Sequence, residues 1–154
     1  MSGLALVDAH CHFDLFPNPR EVLQEAEENR IYSIAVTNTP SVFEPMRRLV
    51  EGLQYVRPAL GLHPELALQR DSELPIFERQ LPNTRYVGEV GLDYRVVVRR
   101  SDRARQRAIF EEILQHCSRV GTRVVTIHSR RAEADVVAAL REHRPGPFIL
   151  HWYS

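Results

Sequence analysis

The sequence has no lysine: all 20 of its Lys-or-Arg positions are arginine, against 20 acids, so the formal net charge is zero. Nothing physical in a folded protein demands that choice, and it reads as the base composition of the coding DNA. Cysteine is nearly as scarce. Cys11 and Cys117 are the only two, too few for a disulfide framework and at ease in a reducing cytoplasm as small buried hydrophobes. No apolar run approaches the roughly 20 residues that a membrane-crossing helix needs. The N-terminus carries no charged segment ahead of an apolar one, so export is not expected. Together these absences argue against membrane and disulfide-rich secreted classes and favour a cytoplasmic protein.

What is present is the material of one globular domain: 154 residues, 44% hydrophobic and 26% charged, enough to bury a real core. The zero net charge hides an asymmetry. Residues 1–94 hold 8 Arg and 14 acids, whereas residues 95–131 hold 10 Arg and 3 acids. Arg pairs bidentately with phosphate, which makes the second stretch a candidate nucleic-acid contact, although a basic helix face is commonly only solvated.

Apolar, β-branched runs predict strands over Leu4–His12, Ile31–Thr37, Tyr55–Leu60, Arg85–Val90, Arg123–Ile127 and Phe148–Leu150. Between them, helical spacing predicts helices over Glu21–Arg30, from Ser41 to about Gly52, within Asp71–Leu81, over Ser101–Val120 and over Ala132–His143. Ser41 with Glu44 has the form of a capping box. In the fourth helix Ala104, Ala108, Ile109, Ile113, Leu114 and Cys117 make one stripe, and Gly121 ends it. Six strands alternating with helices, with no hairpin signal, predict an α/β fold with a parallel sheet.

The chemistry lies at the strand ends. The first strand closes on His10 and His12, where alternation predicts Asp8, His10 and His12 on one face. The third closes on His63, the fourth on Glu89, the fifth on His128 and the sixth on His151. A lone His-x-His is weak evidence for a metal, but six potential ligands at the C-terminal ends of five parallel strands are not. In a (β/α) barrel those ends converge on one mouth, where such enzymes place their sites. Glu89, set between Gly88 and Gly91 in an apolar strand, is costly to bury unless something positive meets it. His116 and His143 fall in helices and read as surface or helix-end residues.

Five stretches, Val7–Asp14, Gly61–Pro64, Val87–Tyr94, Ile127–Arg130 and Leu150–Ser154, resemble the TatD-type metal-dependent deoxyribonucleases of the amidohydrolase-like TIM-barrel group, in order and near spacing across the whole chain. Asp14–Pro19, Ala35–Pro40, Ala59–Pro64 and Leu150–Trp152 further resemble the TatD-like nuclease component of Qat anti-phage defence systems. The resemblance implies a two-metal site, with His10 and His12 on one divalent ion, His128 and His151 on the other, and Glu89 bridging. His63, Ser129 and Arg130 are implied beside the substrate phosphate, with Glu89 and His63 catalytic. Zn²⁺, Mn²⁺ and Mg²⁺ all suit such ligands. It also implies DNA as substrate, other proteins of a defence complex as partners, and no membrane.

Two departures qualify the picture. The family places a catalytic, metal-binding Asp after its last strand, and this chain ends after strand six. The expectation is therefore an incomplete TIM (β/α)8 barrel with about six βα units: residues 1–154 as a single TatD-like domain, truncated at the C-terminus, binding metal weakly and cleaving little DNA alone. The second departure is the basic stretch Arg95–Arg100, suited to a DNA track or a partner protein. Two rivals stand beside the nuclease. One is another amidohydrolase-type hydrolase, although such enzymes often bridge their metals with a lysine that this chain lacks. The other is a catalytically incomplete scaffold or binding subunit.

Overall fold

In the computed structural model, which describes residues 6–154, the apolar runs form β1 (Val7–Cys11), β2 (Tyr32–Ala35), β3 (Val56–Leu60), β4 (Tyr86–Asp93), β5 (Val124–Arg130) and β6 (Phe148–Tyr153). Leu4 and Ala5, the expected start of the first strand, lie outside the described residues. Each strand pairs in parallel with the next, giving the order β1-β2-β3-β4-β5-β6. The helices that return the chain are α1 (Pro19–Glu28), α2 (Pro40–Leu49), α3 (Pro64–Arg70), α4 (Leu74–Gln80), α5 (Arg100–Val120) and α6 (Glu133–His143). Proline opens α1, α2 and α3, where its missing N–H costs nothing.

Strands of one sense, joined in sequence by helices, curl into a TIM-like barrel wall. Ile149 of β6 packs on a cluster of Ile34, Val36 and Ala59 from the β2 and β3 region. Across the same interior the Tyr32 and Tyr86 hydroxyls are 2.9 Å apart. The wall is nearly closed: the rings of His10 on β1 and His151 on β6 stack with centroids 3.6 Å apart. Outside the wall, Phe110, Ile113, Leu114 and Cys117 of α5 join Val87, Val125, Ile127 and Val136 in the main core.

Several local expectations shift. The helix expected within Asp71–Leu81 is α4, and α3, opened by Pro64 directly after His63, is a further helix ahead of it that the spacing did not mark. The Ser41 capping box does not form: Thr39 is the N-cap, the Ser41 amide donates to Glu73 at 2.9 Å, and Glu44 accepts from Arg47 and Arg48. On α5 the buried face is Gln106, Ile109, Phe110, Ile113, Leu114, His116 and Cys117, while Ala104 and Ala108 are exposed. His116 is therefore not a surface residue; it is 7% exposed, with Glu78 and Glu112 at 3.4 and 3.7 Å. His143 does end its helix. In β1 the ladder slips between Asp8 and Cys11. That bulge breaks simple alternation, so Asp8 lines a shallow cavity with Cys11 and Phe13, its Oδ1 accepting from the His10 amide at 3.0 Å, and its side chain does not share the imidazole cavity.

Burial pushes the Cys117 thiol up from 9.0 to about 12. Its folded pKa lies above the unfolded one, so its stabilising effect is complete below pH 9 and disappears as pH rises toward 12. At 1.36 kcal/mol per unit the loss is about 4 kcal/mol. Chemical denaturation at stepped pH is expected to show that loss between pH 9 and 12 in the natural protein, and a clearly smaller one in Cys117→Ala.

Candidate metal centre

The backbone brings Glu89 to the centre of the barrel mouth. Its N–H donates to the Thr37 carbonyl at 3.2 Å, and its own carbonyl accepts from the Leu62 amide at 3.0 Å. Thr37, just past β2, also donates its hydroxyl to Ala59 O and accepts from the Gly61 amide. Gly61 must be glycine here, since a Cβ would lie 1.8 Å from Thr37 O. Three strand ends are thereby locked around one carboxylate.

Five imidazoles surround that carboxylate. Glu89 Oε2 faces Nε2 of His10 at 3.2 Å, of His12 at 2.9 Å and of His63 at 3.3 Å. Oε1 faces His128 Nδ1 at 2.7 Å and His151 Nε2 at 2.9 Å. His10 and His12 present nitrogens 3.2 Å apart to one point, as expected from their strand-end spacing. These side chains, with Glu65, Arg130 and Trp152, line an open cavity of about 370 Å³.

The remote nitrogens decide which groups donate. His63 Nδ1 accepts from the Glu65 amide at 3.1 Å and caps α3; in the neutral ring the proton therefore sits on Nε2, which makes His63 a donor toward the cavity. His10 Nδ1 lies 2.9 Å from the buried Thr126 hydroxyl, which can accept the ring proton and leave Nε2 free to ligate. His128 Nε2 lies 2.9 Å from Asp93. Asp93, Thr126, Thr37 and Trp152 were not singled out from the sequence. Asp93 was the most findable, since it closes the fourth strand four residues beyond Glu89. Ser129 is fully buried, its hydroxyl without a partner among the described residues, and it is not among the residues lining the cavity.

The model of the TatD related DNase family matches residues 7–154. The chain belongs to that family. Human deoxyribonuclease TATDN3 is 31% identical over 171 residues, covering 99% of this chain and 62% of that protein. The uncharacterized metal-dependent hydrolase YcfH of Escherichia coli K12 is 31% identical over 150 residues, covering 90% of this chain and 54% of that protein. The chain thus spans little more than half the length of such relatives. Among solved structures, the TatD homologue YjjV of Escherichia coli K12 superposes with a TM-score of 0.75 at 28% identity, over 90% of this chain and 56% of that one.

The donor set of this TatD-family chain fits a divalent metal better than it fits protons. A carboxylate oxygen has two lone pairs, yet Oε2 faces three imidazole nitrogens. His10 and His12 Nε2, 3.2 Å apart, leave no room for both to carry protons. A cation among the lone pairs of His10, His12 and Glu89 resolves both conflicts, and histidine with carboxylate is the ligand chemistry of Zn²⁺ and Mn²⁺. Burial works against the Glu89 charge, but the close imidazoles of His10, His12, His128 and His151 outweigh it, and the carboxyl stays ionised far below its usual range. Burial lowers His10, which keeps its ring neutral, against the pull of Glu89. In His128 burial is more than offset by Glu89 and Asp93 on its two sides, and the net shift is upward.

Glu89→Ala is expected to retain the native circular-dichroism spectrum and to bind Zn²⁺ at least about 100-fold more weakly in competition with a chromophoric chelator. Undiminished zinc binding would show that the imidazoles do not depend on Glu89.

Proposed function

We propose that the protein carrying this chain is a metal-dependent phosphodiester hydrolase that cleaves DNA with two divalent ions, one at His10 and His12, one at His128 and His151, bridged by Glu89. The observation that carries this reading is the division of the site histidines between the two oxygens of one ionised carboxylate. When bound, the ions supply Lewis acidity to the scissile phosphate and lower the pKa of the attacking water. Glu89 holds the two ligand groups together. His63, its Nδ1 committed to the Glu65 amide, offers Nε2–H to a phosphoryl oxygen and is placed to protonate the leaving oxygen. Of the two other residues expected beside the phosphate, Arg130 opens onto the cavity, whereas Ser129 lies beneath it with a buried hydroxyl that has no partner among the described residues.

The surroundings suit a polyanion with accessible bases. The Arg130 guanidinium lies 5.4 Å from the Trp152 ring centroid, and that indole is half-exposed at the cavity edge. A base stacks on such a face whatever its sequence. Arg95, Arg99 and Arg100 are exposed in the segment leaving the C-terminal end of β4, where a DNA strand entering the cavity would pass. We also place the protein in anti-phage defence, in the cytoplasm and beside protein partners of a Qat-type complex. That assignment is supported by the Qat-like phrases and by two unpaired cysteines.

The test is hydrolysis of labelled single- and double-stranded oligonucleotides by the full natural protein, beside small esters and amides, after chelation and on return of Mn²⁺, Mg²⁺ or Zn²⁺. Metal-restored DNA cleavage, lowered about 10³-fold or more in Glu89→Ala and His128→Ala, is expected. Turnover of amides with inert DNA would instead favour another amidohydrolase-type reaction. Defence activity that survives both substitutions would favour a scaffold. Trp152→Ala is expected to weaken single-stranded oligonucleotide binding about tenfold by fluorescence anisotropy, at one stacked base's worth of energy; an unchanged affinity removes the indole from the substrate path.

A further inference from the structure

We propose that Asp93 is a positioning residue that makes His128 a ligand through Nδ1, while His10, His12 and His151 ligate through Nε2. The inference rests on the metal-centre reading and assigns a role to a residue outside the ligand set. Asp93 is fully buried, and a buried carboxylate needs partners that repay its desolvation. It has them on every side. Oδ2 is 2.9 Å from His128 Nε2, and Oδ1 accepts from the Arg95 amide at 2.9 Å. Its backbone N–H donates to Gln106 Oε1 at 3.0 Å, and Gln106 Nε2 donates to the Pro64 carbonyl at 2.9 Å. Gln106 is fully buried in α5 and so ties the end of β4 to the residue after His63.

A carboxylate only accepts, so the His128 proton facing Asp93 belongs on Nε2. In the neutral ring the lone pair is then on Nδ1, the atom 2.7 Å from Glu89, where a cation between the two would take it. An imidazole whose second nitrogen donates to a carboxylate is fixed in ring orientation and tautomer and gains basicity as a ligand. His12 and His151 have no such aid: their Nδ1 atoms are buried without partners among the described residues. The ligand group at Glu89 Oε1 therefore depends on Asp93 in a way that the group at Oε2 does not.

The Arg95 contact makes the idea sharply testable. In Asp93→Asn the Arg95 amide still demands an acceptor, so the amide oxygen takes the Oδ1 place and the NH₂ group faces His128 Nε2. A donor there forces Nε2 to accept and moves the proton to Nδ1, where it blocks the metal. Asn, the isosteric change, is thus expected to do more harm than Ala, which leaves the ring free to choose its tautomer. A purely structural role predicts the opposite order, because Ala leaves a void and an unpaired Arg95 amide.

The experiment uses the full natural protein with Zn²⁺ as probe. Zinc stoichiometry and affinity are measured by chelator competition, and ring-nitrogen protonation by ¹H–¹⁵N spectroscopy of histidine-labelled protein. In the natural protein two zinc ions and a protected His128 Nε2–H are expected. In Asp93→Asn one zinc class weakens about 10- to 100-fold, the other is unchanged, and the His128 proton is found on Nδ1. In Asp93→Ala the loss is smaller. Two unperturbed zinc classes in Asp93→Asn, or a larger loss in Ala than in Asn, would overturn the role of Asp93 while leaving the metal centre standing. A natural protein that binds no zinc would overturn both.

Discussion

One ionised carboxylate holds this site together. Glu89 is 2% exposed and meets five imidazoles from four other segments of the wall. A buried charge is tolerated only where polar partners replace its water. Here the partners are residues whose own placement depends on the barrel having curled. His10 and His151 come from the two ends of the sheet order, yet their rings stack. Chemistry and architecture thus impose the same requirement: the wall must bend until its first and last strands both reach the carboxylate.

The backbone supports that requirement through small and polar residues at the strand ends. Thr37 uses its carbonyl, amide and hydroxyl to join β2 to the ends of β3 and β4. Gly91 permits the same closeness on the other side, since a Cβ there would lie 2.0 Å from the His128 carbonyl. Beyond it, Asp93 and Gln106 continue the network into α5. The ligands are therefore held by a frame of satisfied hydrogen bonds, which gives the imidazoles fixed orientations and, through their remote nitrogens, distinct roles.

The sequence made the converging histidines and Glu89 legible and the frame around them largely illegible. Histidines at strand ends are conspicuous because their positions are periodic with the fold, and six parallel strands follow from apolar runs separated by helical spacing. The failures are those of local rules overridden by tertiary contacts. Ser41 matched a capping box, but Glu73 from another segment took its amide. His116 sat where a helix should be wet, but α5 turned its Gln106 and Phe110 inward and carried His116 with them. Asp8 obeyed alternation only until the β1 bulge reversed it. Gln106 could not be found at all, because a polar residue on a helix becomes structural only when particular partners, here Asp93 and Pro64, arrive.

Charge shows the same difference between composition and arrangement. The excess of arginine over residues 95–131 suggests a basic helix, but three of the five arginines of α5 are paired with acids. Arg105 pairs with Asp71, Arg107 with Glu111 and Asp135, and Arg119 lies near Glu78. Such exposed pairs add little stability. They do offset part of the helix's positive charge locally, while Arg100 and Arg103 in its first turn stay unpaired. Among the described residues of this stretch, Arg95, Arg99, Arg100, Arg103, Arg123, Arg130 and Arg131 have no acid within ion-pair distance. All but Arg123 fall between β4 and the first turn of α5 or around the end of β5, on the side of the barrel where the histidines converge; Arg123 precedes β5 at the other end. Six of the seven unpaired arginines of this stretch therefore gather on the side of the barrel mouth, which the arginine count alone does not reveal.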